Sequence, residues 1–134
     1  AELVALLPAG RGEVFAQMFA VRDNQVEPLD EPAHISPAAL VAKYGSYARL
    51  LWAGEGAHAQ AEVIEHAARG QGIELKAARQ DEMNGWMLAP PAPALAENVA
   101  RLAFREWRKG NVINAEALRA NYVRASDAEI NAHA

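Results

Sequence analysis

Four histidines, two pairs of adjacent carboxylates, a Gly54-Glu55-Gly56 turn and a basic cluster at Arg101, Arg105, Arg108 and Lys109 are the groups here with chemistry to offer. Two metal ligands share a helix face when they stand three or four residues apart, as in His-Glu-x-x-His. His58 and His66 are eight apart, and Glu65-His66 stands alone. His34, His58, His66 and His133 therefore read as surface histidines, and no metal site is expected. Gly54-Glu55-Gly56 follows a strand-like segment and precedes a helical one, where a phosphate-cradling loop would sit. It lacks the Lys-Ser/Thr of a P-loop and the third glycine of a dinucleotide fingerprint, and Glu55 would repel phosphate. A plain strand-to-helix turn is expected, with no cofactor in this chain.

Asp30-Glu31 and Asp81-Glu82 fall in loop-like stretches. Acid–base pairs need carboxylates held across a cleft with separated pKa values, which adjacency in a loop does not supply. Both pairs read as solvated loop charge. Ser36 and Ser126 lie outside any Gly-x-Ser-x-Gly elbow. Ser36 before Pro37, and Ser126 three residues before Glu129, read instead as helix caps. The basic cluster with Trp107 could hold RNA through phosphates and stacking. Glu97 and Glu106 dilute it, and its spacing assigns Trp107 to a buried stripe, so a solvated helix face is the expectation.

The chain has no cysteine. That excludes disulfides, thiolate zinc sites, iron–sulfur clusters and cysteine nucleophiles, and fits a cytoplasmic location. No apolar run approaches the roughly 20 residues that span a bilayer, and no signal peptide is visible. At 134 residues it is expected to be a single domain, 1–134. A net charge of −4 argues against a phosphate-binding surface spread over the whole molecule. Hydrophobic residues make up 51%, many of them alanine, so the larger apolar side chains must define the core. The chain opens at Ala1 directly before a strand-like run, which reads as a domain excised from a longer protein.

The elements that would position these groups follow from periodicity. Leu3 to Leu7 reads as a buried strand. Glu13 to Val21 alternates, with Val14, Ala16, Met18 and Ala20 on one face and Phe15, Gln17, Phe19 and Val21 on the other. Gly10 and Gly12 punctuate the turn between these two strands. Val26 to Leu29 is a short third strand, Asp30 to Ile35 a loop, and Ser36-Pro37 starts a helix that stops near Gly45. Ala48 to Ala53 is a strand, Ala59 to Arg69 a helix, Ile73 to Ala77 a strand, and residues 80 to 91 an irregular connection. A helix over Ala94 to Lys109 carries Leu95, Val99, Leu102, Ala103 and Trp107 on its expected buried face. The order βββαβαβα implies an α/β fold, a mixed sheet with packed helices.

The hairpin Ala9-Gly10-Arg11-Gly12-Glu13-Val14-Phe15-Ala16 resembles the "DAR-x-GEVY-x-A" segment opening the second half of TsaB, a glycoprotease-like family of tRNA threonylcarbamoyladenosine biosynthesis. The tail from Asn121-Tyr122-Val123-Arg124 to Asp127-Ala128-Glu129-Ile130 resembles that family's "P-x-Y-x-R-x-x-D-A-E" ending. The Pro32 to Tyr44 loop-helix and the Gly54-Glu55-Gly56 turn fall between them in the family's order. Pro8-Ala9 departs from the family's Asp-Ala start, and Asn121 from its Pro or Leu.

The resemblance covers the second domain of a two-domain protein; the first domain is absent. It implies an actin-like ATPase or ribonuclease-H-like fold. It also implies a non-catalytic scaffold partnering the catalytic paralogue TsaD, alongside the TsaE-like ATPase, in modifying adenosine 37 of tRNA. Contact with tRNA would be indirect, and a homodimer is a further possibility. Arg11, Gly12, Glu13, Gly54, Gly56, Tyr122 and Arg124 are the positions that carry the resemblance. Two other readings stay open: the ATP-binding half of an actin-like sugar or acid kinase, in which Gly54-Glu55-Gly56 touches adenosine, and an orphan interaction domain.

Overall fold

The computed structural model describes residues 2–23, 25–79, 84–92, 95–120, 122 and 123. Asp81, Glu82, Arg124, Ser126, Glu129 and His133, named above, lie outside them. The described residues up to Pro91, with Val123, form one compact unit, and those from Ala92 to Tyr122 a second.

In the first unit, strands β1 (Glu2–Gly10) and β2 (Glu13–Arg22) pair antiparallel, from Glu2 opposite Ala20 to Gly10 opposite Glu13. The turn between them follows from backbone chirality. Arg11 and Gly12 are the two central residues of the loop, with φ of 52° and 78°. Two positive values in succession define the type I′ hairpin turn, whose twist matches that of paired strands. A register shift between Pro8 and Gly10 accompanies it. Gly12 takes its conformation freely, but Arg11 does not, because a Cβ in the left-handed region costs about 1 kcal/mol. Arg11→Asn should therefore raise stability by about 0.5–1 kcal/mol in a denaturant titration. An unchanged midpoint would mean that the arginine relieves the strain in another way.

Strand β2 pairs on its outer side with two short strands, β3 (Gln25–Pro28) and β4 (Ala33–Ile35). The β4 stretch was expected as loop. It has three residues, too few for an alternation to register, and its strand character comes from pairing with Val14–Ala16 of β2. Helix α1 (Pro37–Tyr44) begins as its sequence dictates: Ser36 Oγ accepts from the Ala39 N–H at 3.3 Å, and Pro37 opens the first turn.

Strand β5 (Leu50–Ala53) pairs parallel to β1, and the chain then forms two helices, α2 (Glu55–Ala59) and α3 (Ala61–Gly70), broken at Gln60. Strands β6 (Leu75–Ala77) and β7 (Trp86–Leu88) complete a seven-stranded sheet of order β3-β2-β1-β5-β7-β6. The sheet is antiparallel on one side of β1 and parallel on the other. Strand β7 replaces part of the irregular connection expected over 80–91. Its three residues between Gly85 and Pro90 show no period, and burial between β5 and β6 makes them a strand.

The core lies on one face of the sheet. Val4, Leu6, Val14, Ala16, Met18, Leu50, Trp52 and Trp86 meet Leu40 and Tyr44 of α1, Ala57 of α2, and Ile64 and Ala68 of α3. Trp52 packs edge-on against Trp86 at 5.2 Å and Tyr44 at 6.4 Å. The Trp86 indole N–H donates to the Tyr47 carbonyl at 2.8 Å.

In the second unit, helix α4 (Leu95–Arg108) matches the expected element but not its expected burial: none of its residues is buried, and Trp107 is 61% exposed. A segment this short cannot enclose its own apolar stripe.

Candidate functional site

Open α/β sheets present ligands at the carboxyl ends of their parallel strands, and the family-motif residues of the first unit collect there. Strand β1 runs on beyond β5, and α2 lies along the overhang in place of a neighbouring strand. Gly54, the residue before α2, has φ 95° and ψ 170°, a region open essentially to glycine. A Cβ there would collide with the Leu6 carbonyl oxygen of β1. A Cβ on Gly56 would fall 2.8 Å from the Leu6 carbonyl carbon. Both glycines thus let a helix start touch a strand backbone.

This accounts for Gly54-Glu55-Gly56 without a nucleotide. Helix α2 has five residues, too few to align the dipole on which phosphate binding at a helix start depends. The next residue continues the seam: Gln60 Nε2 donates to the Gly12 carbonyl at 2.9 Å, tying the α2–α3 junction to the β1–β2 turn. Gly12, Gly54 and Gly56 are therefore one packing unit, and Arg11 stands exposed at its tip.

Glu13 and His34 are joined as well. Glu13 Oε2 lies 2.9 Å from His34 Nε2, close enough for an ion pair when the ring is protonated, though not aligned as a hydrogen bond. The imidazole packs at 5.3 Å from the Phe15 ring. His34 is thus a fastener between β2 and β4, and His58 is another: its Nε2 lies 2.9 Å from the Ala89 carbonyl, linking α2 to the exit of β7. Both were expected as ordinary surface histidines. Their partners are 21 and 31 residues away in sequence, beyond local pattern.

Beside His58 an open groove of about 460 Å³ is lined by Glu65, Lys76, Leu88, Pro90 and Pro91 among others. Its charged groups serve neighbours on the surface: Glu65 pairs with Arg69 at 2.8 Å and Lys76 with Glu74 at 3.5 Å. Among the described residues, no group of three or more His, Asp or Glu could hold a metal ion.

The densest polar cluster centres on a residue with no local sequence signal. Asp30, expected as solvated loop charge, is half-buried and accepts three charge-assisted contacts. The Met18 N–H donates to Oδ1 at 2.7 Å, the Tyr44 hydroxyl to Oδ2 at 2.8 Å, and Lys43 Nζ lies 2.7 Å from Oδ2. Gln17 Nε2 donates to the Asp30 carbonyl at 2.9 Å. Burial alone would raise the Asp30 pKa, but the bonds from Lys43, the Met18 N–H and Tyr44 outweigh it and hold the carboxyl below its ordinary value. Burial and the bond to Asp30 push the Tyr44 hydroxyl up to about 12. The cluster clamps the β3–β4 connection to β2 and α1, and every one of its members is spent on another.

Tyr122, in the second unit, is 86% exposed. The family-motif residues thus comprise one assembled group at the β1–β2 turn and a tail of which only Tyr122 and Val123 are described. Among the described residues, no helix is long and apolar enough to cross a membrane.

No family model matches the sequence, and no curated protein matches it. The fold does match a solved structure, an uncharacterized Pseudomonas aeruginosa protein with similarity to peptidase YeaZ. The TM-score is 0.62 at 18% identity, and the match covers 92% of this chain and 49% of that one. The chain spans about half the length of that neighbour. The chain accordingly shares the mixed α/β fold of that structure.

Proposed function

We propose that this chain is a non-catalytic scaffold domain of the tRNA threonylcarbamoyladenosine machinery, corresponding to the second half of a TsaB-like protein. The observation that supports it is a coincidence of fold and motif. The backbone follows a structure described as similar to peptidase YeaZ, another name for TsaB. The Gly12-Glu13-Val14-Phe15 segment that resembles the TsaB family falls on the first hairpin of the fold, where the resemblance requires it.

On this reading the domain works by shape. Gly12, Gly54 and Gly56 fix the β1–β2 turn against α2, and Glu13 fastens the start of β2 to β4. Arg11, projecting from the turn, and Arg124 of the tail are the side chains offered to the catalytic TsaD-like subunit. The TsaE-like ATPase is reached through that subunit.

Titration calorimetry of the natural full-length protein against a TsaD-type subunit tests this. Association at micromolar strength or tighter is expected, weakened about tenfold by Arg11→Glu through loss and reversal of one interfacial charge. Absence of heat and of co-elution with the TsaD-type subunit overturns the proposal.

A further inference from the structure

The aromatic pair on α4 sits where core packing does not put it. Successive helical residues turn by about 100°. Leu95, Val99 and Leu102 therefore form one aliphatic stripe, and Phe104 points to nearly the opposite side. Whatever covers that stripe leaves Phe104 uncovered. Phe104 and Trp107 are 59% and 61% exposed. Their rings stack at 5.6 Å with planes 29° apart, a flat platform rather than an edge-to-face core contact.

Arginines border the platform. Arg101 and Arg108 fall on the helix side beside Phe104, with Arg105 next to them. From residue 92 to 122 there are five cations against three carboxylates, in a chain whose net charge is −4. Arg101 is held by Glu97 through two hydrogen bonds of 3.0 and 2.7 Å. Lys109 and Arg105 lean on Glu106. Arg108 makes no ion pair among the described residues.

We infer that this face of α4 binds an unpaired RNA segment, a base stacking on Phe104–Trp107 while Arg108 and Arg101 meet the flanking phosphates. A platform of π-faces with planar cations beside it suits single strands, whose bases are free to stack without base-specific hydrogen bonds. An anionic membrane fits less well. Insertion needs the apolar groups together and the charges apart, whereas Glu106 falls within the aliphatic stripe and Phe104 lies opposite it. The sugar is assigned as ribose because the proposed function concerns tRNA; the stacking and the charges stand without that reading.

The test is fluorescence anisotropy of the full chain with a labelled twelve-residue single-stranded RNA, its deoxy counterpart, and phosphatidylserine vesicles. Phe104→Ala and Trp107→Ala should each weaken RNA binding roughly tenfold or more. Arg108→Gln should lower the slope of log affinity against log salt by about 0.7. Leu102→Ala, on the opposite stripe, should leave RNA affinity within about twofold, with circular dichroism showing α4 intact in every variant. Absence of RNA binding, indifference to both aromatic replacements, or stronger binding to vesicles overturns the inference; equal binding of the deoxy strand overturns the assignment of ribose. Loss of TsaD association with RNA binding retained would sink the scaffold reading alone, and the converse would sink this one alone.

Discussion

Gly54→Ala is expected to be the most damaging single-methyl change in the protein. The new Cβ pays twice: for a backbone conformation that only glycine holds comfortably, and for a collision with the Leu6 carbonyl oxygen in the middle of the sheet. Strain of about 1–3 kcal/mol and overpacking of a similar size combine to about 4 kcal/mol. In a chain this long that lowers the melting temperature by about 12 °C. Gly56→Ala lacks the strained φ but still puts its Cβ 2.8 Å from backbone carbon, so about 2 kcal/mol is expected. Gly70→Ala is the control. Its Cβ would meet nothing within 4 Å, and the change should be neutral or stabilising by about 0.5 kcal/mol. Equal melting temperatures for the Gly54 and Gly70 variants would show that the close approach of α2 to β1 is not what the glycine supplies.

Removal of the Asp30 carboxylate ranks next. Asp30→Ala leaves the Met18 N–H, the Tyr44 hydroxyl and Lys43 without their acceptor. Half-buried bonds to a charged group contribute about 1.5–3 kcal/mol, and orphaned donors add to the loss. A net destabilisation of about 3 kcal/mol is expected. Lys43 is exposed enough that its own share is small.

The same cluster sets a pH profile. Because the folded-state pKa of Asp30 is lowered from 3.8, its contribution is complete above that value and is lost as acid protonates the native carboxylate below it. Tyr44 runs the other way. Its hydroxyl is raised from 10.0 to about 12, so its contribution is complete below pH 10 and disappears towards pH 12. The Lys43 pKa is raised as well, the bonds to Asp30 and Tyr44 outweighing burial, which adds to the alkaline loss. Urea midpoints should hold level through neutral pH and fall at both extremes. In Asp30→Asn both falls should be shallower than in the unsubstituted protein. A variant profile parallel to the original would remove the cluster from the account.

The β1–β2 hairpin was legible because alternation over ten residues is long enough to register: Val14, Ala16, Met18 and Ala20 are the buried face in sequence and structure alike. Ser36-Pro37 was legible because capping is local chemistry. Strands β4 and β7 were not, since three residues carry no period and pairing alone makes them strands. Asp30 looked like loop charge because its partners Met18 and Tyr44 lie 12 and 14 residues away. Gly54-Glu55-Gly56 reads as a turn before a helix at Ala59, but Glu55 and Gly56 already belong to α2, and the reason for glycine is the approach of a strand to which the segment has no local tie. Helix α4 was visible from its amphipathic pattern, yet an apolar stripe states that a face wants cover and not that it has it.

The sheet changes character at β1, and that has a kinetic consequence. On one side β1 pairs with a neighbour reached through a two-residue turn; on the other it pairs with β5, so that Leu3 meets Leu51. Closing the first contact costs little chain entropy, while the second needs a long crossover. The hairpin should therefore form early and template the parallel half, giving a transition state polarised towards the N-terminal strands. Mutations at Val14 or Met18 should slow folding, whereas mutations at Trp86 should mainly speed unfolding. Stopped-flow chevrons for Met18→Ala and Trp86→Phe would show it: loss concentrated in the unfolding limb for both would place the nucleus elsewhere.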